Sequence, residues 1–107
     1  MPVYVDDMYK LPMGEFRGMK MSHMIATTDD ELHAMAARIG MERRWFQRDH
    51  YDVPLSKRAL AVQFGAVEIT LRELAALAYL KRVGVEIGDP ATARERLRAH
   101  RRGSTAL

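Results

Sequence analysis

Hydrophobic and polar positions alternate along this chain with two different periods, and the change of period marks the elements. Val3-Tyr4-Val5 is a continuous apolar run that ends in Asp6-Asp7, which predicts a short strand covered on both faces. Met8 to Lys20 has no period, is broken by Pro12, Gly14 and Gly18, and reads as an irregular loop. Met21 to Ala26 is expected to form a second strand. Thr28 followed by Glu31 is a capping-box pair, and Leu32, Met35, Ala36 and Ile39 then share one helical face before Gly40.

Arg43 to Gln47 reads as a third strand leading into the loop Arg48 to Pro54. Ser56 is expected to cap a helix through Phe64, with Gly65 as its stop, and Ala66 to Ile69 is the last predicted strand. Thr70 with Glu73 repeats the capping pattern, and Leu71, Leu74, Ala75 and Ala78 give the next helix, which stops near Gly84. Asp89-Pro90 then supplies a cap followed by proline at the first helical position, opening an arginine-rich helix. Strands alternating with helices predict an α/β fold: a small three-layer domain with a short, mainly parallel sheet of three or four strands flanked by helices. The expected organisation is an α/β domain over 1–88, then a basic helix and tail over 89–107.

Composition narrows the class. A chain of 107 residues, 48% hydrophobic and 29% charged, suits one globular core rather than two. It has no cysteine, so disulfides and thiolate metal sites are excluded and a reducing, cytoplasmic setting is expected. The start, with Asp6 and Asp7 close behind Met1, lacks the basic and then apolar pattern of a secretory signal. No run approaches the roughly 18 apolar residues of a membrane span, so no membrane partner is expected. The net charge of +3 is uneven, because Arg94, Arg96, Arg98, Arg101 and Arg102 gather near the C-terminus around Glu95.

In a parallel sheet, ligands gather outside the carboxyl ends of strands. That rule selects Asp6 and Asp7, Ser22 and His23, and the segment His50-Tyr51-Asp52. His50 and Asp52 are two residues apart, so in an extended segment they project to one side, as joint metal ligation or a carboxylate-oriented imidazole requires. Adjacent Asp6 and Asp7 face opposite ways in a strand, so one of them is expected to serve a site. Together with His23 these groups compose an oxygen and nitrogen donor set for Mg²⁺, Mn²⁺ or Zn²⁺. The competing reading is that His50 and Asp52 pin their loop by hydrogen bonds. Lys57 and Arg58, near a helix start, suit a phosphate or carboxylate, or else a solvated first turn. His33, beside Leu32, reads as a boundary residue. No phosphate-binding glycine loop, HExxH zinc motif or nucleophile elbow is present.

The ordered set Val3-Tyr4-Val5-Asp6-Asp7, Ser22-His23-Met24, Glu31-Leu32-His33-Ala34, Trp45-Phe46, Asp49-His50-Tyr51-Asp52-Val53, Gly65-Ala66 and Arg72-Glu73-Leu74 resembles the small bacterial and phage family known as domain of unknown function 4031. The likeness spans residues 3 to 75. It implies a compact cytosolic domain with a Ser-His and His-Tyr-Asp signature, and brings no activity with it.

The residues support two expectations from different classes. In the first, the domain binds or hydrolyses a phosphate-containing ligand, a nucleotide or nucleic acid, with metal assistance. Asp6 or Asp7 and Asp52 hold the ion, His50 is ligand or general base with His23 beside it, and Ser22, Tyr51, Lys57 and Arg58 contact the ligand. In the second, it is a non-catalytic accessory protein that engages nucleic acid or protein through the same cleft or the arginine helix.

Overall fold

The computed structural model of the protein describes residues 2–105; Met1 and the last two residues of the expected basic tail lie outside the described residues. Ten helices and strands are arranged in three layers. β1 (Val3–Val5) is followed by two short 3₁₀ turns, Met8–Lys10 and Pro12–Gly14, and then by a hairpin of β2 (Glu15–Phe16) and β3 (Met19–Ala26). The segment expected to be irregular is thus ordered. Arg17 and Gly18 turn the hairpin with φ of 51° and 79°, the left-handed pair that a tight hairpin needs. Gly14 is required where it sits, since a side chain there would run into the Met8 carbonyl.

α1 (Asp29–Arg38) starts on the Thr28 cap, whose hydroxyl oxygen accepts from the Glu31 N–H at 3.2 Å. A 3₁₀ turn, Arg43–Trp45, takes up most of the strand expected at Arg43 to Gln47 and leaves only β4 (Phe46–Gln47) in the sheet. β5 (His50–Pro54) runs straight into α2 (Leu55–Gln63), so the helix is entered at Pro54 without a side-chain cap and Ser56 falls inside the first turn. β6 (Val67–Glu68) precedes α3 (Leu71–Arg82), where Thr70 and Glu73 form the complete reciprocal capping box. Asp89 accepts from the Ala91 N–H at 2.9 Å and opens a turn that continues into α4 (Ala93–Thr105).

The strand order is β4-β5-β3-β1-β6, with β2 also paired to β3. Of the five pairings among the described residues only β1–β6 is parallel, so the expectation of a mainly parallel sheet of three or four strands is corrected to a mostly antiparallel one of six. The reason lies in which strands become neighbours. Combining the pairings, β3 and β4 run in the same direction across the α1 connection, and β5 and β6 do so across α2, as alternating elements suggest. β5 alone separates β3 from β4 and runs against both, whereas β3 and β1 separate β5 from β6, with β3 opposed to them and β1 running the same way.

One sheet face packs Val5, Met24, Tyr51 and Val53 under Leu32 and Ala36 of α1 and Ala61 of α2. The other packs Tyr4 and Ile25 under Leu74, Leu77 and Leu80 of α3, with Ala93 and Leu97 of α4 completing that layer. The three-layer α/β class therefore stands. The basic helix lies on α3, and Arg96 ties it there by donating to the carbonyls of Glu86, Ile87 and Asp89 at 3.1, 2.6 and 2.9 Å. No helix among the described residues is long and apolar enough to cross a membrane.

Candidate metal centre

β3 pairs with β5 so that His23 lies opposite Asp52, and the residue after β1, Asp6, sits beside His23, whose carbonyl accepts from the Asp6 N–H at 3.1 Å. The three form a row across neighbouring strands. Their face follows from alternation: Tyr51, Val53 and Met24 point into the α1/α2 core, so His50, Asp52 and His23 point to the α3 side. His50 and Asp52 are two residues apart on β5, and the His23 and His50 rings meet edge to face with centroids 5.1 Å apart.

Each imidazole is held from behind by a carboxylate. His23 Nδ1 lies 2.7 Å from Asp6 Oδ2, and His50 Nδ1 lies 2.7 Å from Asp49 Oδ1. A carboxylate only accepts, so the proton sits on Nδ1 in each ring and the Nε2 lone pair points forward when the ring is neutral. Both forward atoms converge on Asp52: His50 Nε2 is 3.3 Å and His23 Nε2 is 3.8 Å from Oδ1. That oxygen is buried and has no hydrogen-bond donor, while Oδ2 accepts from Gln47 Nε2 at 3.0 Å. Three acceptors thus face one another with no donor among them. Only a proton or a cation relieves such an arrangement.

His23, His50 and Asp52 each bring one donor atom within 4.8 Å of the others, so the group could hold a metal ion. Ligands at about 2.0–2.1 Å from a tetrahedral ion stand roughly 3.4 Å apart, close to the 3.3 and 3.8 Å separations already present. The backing carboxylates are the partners that metal-bound histidines ordinarily have.

Without an ion, the same geometry favours a proton. The close Asp52 carboxylate raises the pKa of His50 above its usual 6.5, with burial opposing and Asp49 adding to the rise. The same contact lowers Asp52 below 3.8 against the effect of burial. Burial pushes the Asp49 carboxyl up, but hydrogen bonds from His50 and Arg82 outweigh it and hold the group below 3.8. A histidine whose folded pKa is raised contributes stability that is full below the unfolded value and is lost as pH rises through the folded one; the lowered carboxylates contribute above their unfolded value and lose it on acidification. The metal-free protein is therefore expected to lose stability as pH rises from 6.5 through the folded pKa of His50. Urea midpoints at pH 6, 7 and 8 should fall for the parent relative to His50→Gln, and parallel profiles would show that His50 does not hold a shifted proton.

Of the other residues singled out in the sequence, Asp6 alone touches this group, and it does so as a support to His23 rather than as a further converging donor. Asp6 stands behind His23: its Oδ1 accepts from the N–H groups of Met8 and His23 at 3.1 and 3.0 Å. Asp7 faces elsewhere and accepts from the Leu71 N–H at 2.8 Å, at the start of α3. Ser22, on the opposite side of β3, accepts from the Tyr9 N–H at 3.2 Å. Tyr51 is fully buried, its hydroxyl 2.7 Å from His33 Nδ1, which makes His33 the boundary residue it was expected to be. Arg58 is buried, donates to the Asp6 carbonyl at 2.8 Å and pairs with Glu68 at 2.9 Å. Lys57 reaches to Gly40, beyond the end of α1. Arg58 is thus committed to Asp6 and Glu68 rather than presented to a phosphate at the start of α2, while Lys57 lies beside Gly40.

The sequence pattern gives no role to two residues of the centre, although one of them, Asp49, belongs to the Asp49-His50-Tyr51-Asp52 segment. Asp49 sits in the β4–β5 turn, where Arg48 takes a left-handed φ of 59°, and this bend brings the Asp49 carboxylate beside the ring of its own neighbour. Arg82, at the end of α3, donates from Nε to Asp49 Oδ2 at 3.1 Å. The Asp49-His50 adjacency was a usable signal; for Arg82 there was none, since 33 residues separate it from Asp49.

A family model described as "Protein of unknown function (DUF4031)" matches residues 3–81, which hold every member of this centre except Arg82. Comparison with curated proteins gives no match, and comparison with solved structures gives none either. With the matched stretch covering well over half of its residues, the chain belongs to the DUF4031 family.

Proposed function

We propose that this domain is a metal-dependent hydrolase acting on a phosphate-containing ligand, a nucleotide or nucleic acid, with the ion held by His23, His50 and Asp52. The observation that carries this reading is the set of three inward acceptors, two of them imidazoles fixed by carboxylates. Three protein ligands leave at least one position for water, which a bound ion activates near neutral pH. Among Mg²⁺, Mn²⁺ and Zn²⁺, two imidazoles with one carboxylate favour Zn²⁺, then Mn²⁺, over the oxygen-seeking Mg²⁺. His23 and His50 orient and bind, Asp52 supplies the anionic ligand, and Asp6 and Asp49 hold the ring protons in place.

The test is equilibrium uptake of Zn²⁺ and Mn²⁺ by the metal-free chain, followed by hydrolysis of bis(p-nitrophenyl) phosphate, nucleotides, RNA and DNA by the loaded protein. Uptake of one ion per chain with chelator-sensitive cleavage supports the proposal. Loading with no cleavage of any of these substrates removes the hydrolase.

A second reading rests on α4, where exposed Arg94 and Arg98 stand one helical turn apart and neither makes an ion pair among the described residues. Such a pair suits a nucleic-acid backbone. The same experiments separate it: binding of RNA or DNA that persists in chelator, falls steeply with salt and is lost in Arg94→Glu/Arg98→Glu is what an accessory role requires.

A further inference from the structure

Beside the candidate metal centre lies a cavity of about 180 Å³. His23, Asp49 and His50 form its polar side, and Leu71, Leu74, Ala75 and Ala78 form an apolar wall along α3. Arg82 lies at its margin, and that guanidinium is only partly engaged. Its Nε donates to Asp49 at 3.1 Å, while its Nη groups have no hydrogen-bond partner among the described residues, and the side chain is 48% exposed.

Asp49 therefore links two functions. One oxygen positions His50 and the other positions Arg82, so the guanidinium is held in register with the imidazole and keeps two parallel donors free for an oxyanion. The far wall is unsuited to a sugar-phosphate chain. Leu71, Leu74, Ala75 and Ala78 offer neither a donor nor a charge, and such a surface takes up a hydrocarbon group. The volume sets the size. Pockets that enclose drug-sized molecules measure roughly 300–1,000 Å³, so this one encloses a compact group and leaves the rest of a larger ligand outside.

We infer that the cavity is the ligand site of the centre and that it takes a small oxyanion carrying a compact apolar substituent, a phosphate monoester or a carboxylate, with Arg82 holding the anion and α3 the hydrocarbon. This rests on the metal ligation proposed above, not on the nucleotide or nucleic-acid substrate, and assigns the site a small ester or acid instead. Arg82 is here a binding residue, and Ala75, exposed on the helix at the cavity wall, is a determinant of ligand size.

The experiment uses the full chain loaded with Zn²⁺, with metal content measured first and separately. Phenyl phosphate, benzoate and inorganic phosphate are then titrated by calorimetry, and an oligonucleotide lacking terminal phosphates serves as competitor. Phenyl phosphate or benzoate should bind at least tenfold more tightly than inorganic phosphate, and whichever of the two is tighter identifies the anion. The oligonucleotide should not compete. Ala75→Phe should weaken phenyl phosphate and benzoate at least tenfold while leaving zinc uptake unchanged. Ala75→Met, a milder filling, provides the same comparison should the larger ring disturb folding by circular dichroism. Arg82→Gln retains a donor for Asp49 but loses the fork, and should weaken the anions more than the metal. Full zinc loading with no anion binding, or equal binding by parent and cavity-filled variants, overturns the ligand site and leaves the metal centre standing. A chain that takes up no zinc overturns both.

Discussion

Zinc is expected to raise the thermal midpoint of the parent protein and to leave that of Asp52→Ala unchanged. A ligand present at about a hundred times its dissociation constant stabilises the folded state by about 2.7 kcal/mol, which for a chain of this size corresponds to a shift of roughly 10–20 °C. Asp52 supplies the only anionic donor of the three, and its removal leaves two neutral imidazoles that attract an ion far less. Melting curves of both proteins with and without Zn²⁺, alongside chelator controls, check this. An equal shift in the two proteins would place the ion elsewhere and remove the proposed centre.

Asp6 carries the second large effect. Its side chain is completely buried and receives the N–H groups of Met8 and His23 and the ring Nδ1 of His23. Asp6→Ala should cost about 3–5 kcal/mol, because removal of one partner from a buried charged network leaves the others without compensation. Asp6→Asn separates folding from function. The amide oxygen still serves both N–H groups, while the amide nitrogen donates to Nδ1 and forces the His23 proton onto Nε2, where it blocks the ion. Urea denaturation should therefore show most of the stability retained in Asp6→Asn, and zinc affinity should fall by about 10–100-fold, the usual consequence of losing such a supporting partner. Unaltered affinity in Asp6→Asn would mean that His23 is not a ligand.

These two expectations show why Asp6 and Asp52, equivalent as candidate ligands in the sequence, have different tasks. Alternation along β5 was enough to put His50 and Asp52 on one side, but it does not govern Asp6 and Asp7, because β1 ends at Val5 and Asp7 has left the extended conformation with ψ of 22°. Whether Asp6 touches an ion or a histidine depends on the register of β1 with β3, which places it beside His23 and one strand further from Asp52. Ser22 and Tyr51 follow the same logic in reverse. Both neighbour true members of the group in sequence, and both point to the opposite face because each is one residue out of phase.

Local structure was legible in the order of residues: the caps at Thr28, Thr70 and Asp89, the amphipathic α1 and α3, the β1 and β3 strands, and the alternation that unites His50 with Asp52. Capping and periodicity are interactions within a few residues, so they are written in consecutive letters. Only the packing of distant segments decided the sheet direction, the commitment of Arg58 to Asp6 and Glu68, and the linkage of Asp49 to Arg82. Each of those depends on which distant segments become neighbours, a choice made by burying two sheet faces at once rather than by any local pattern.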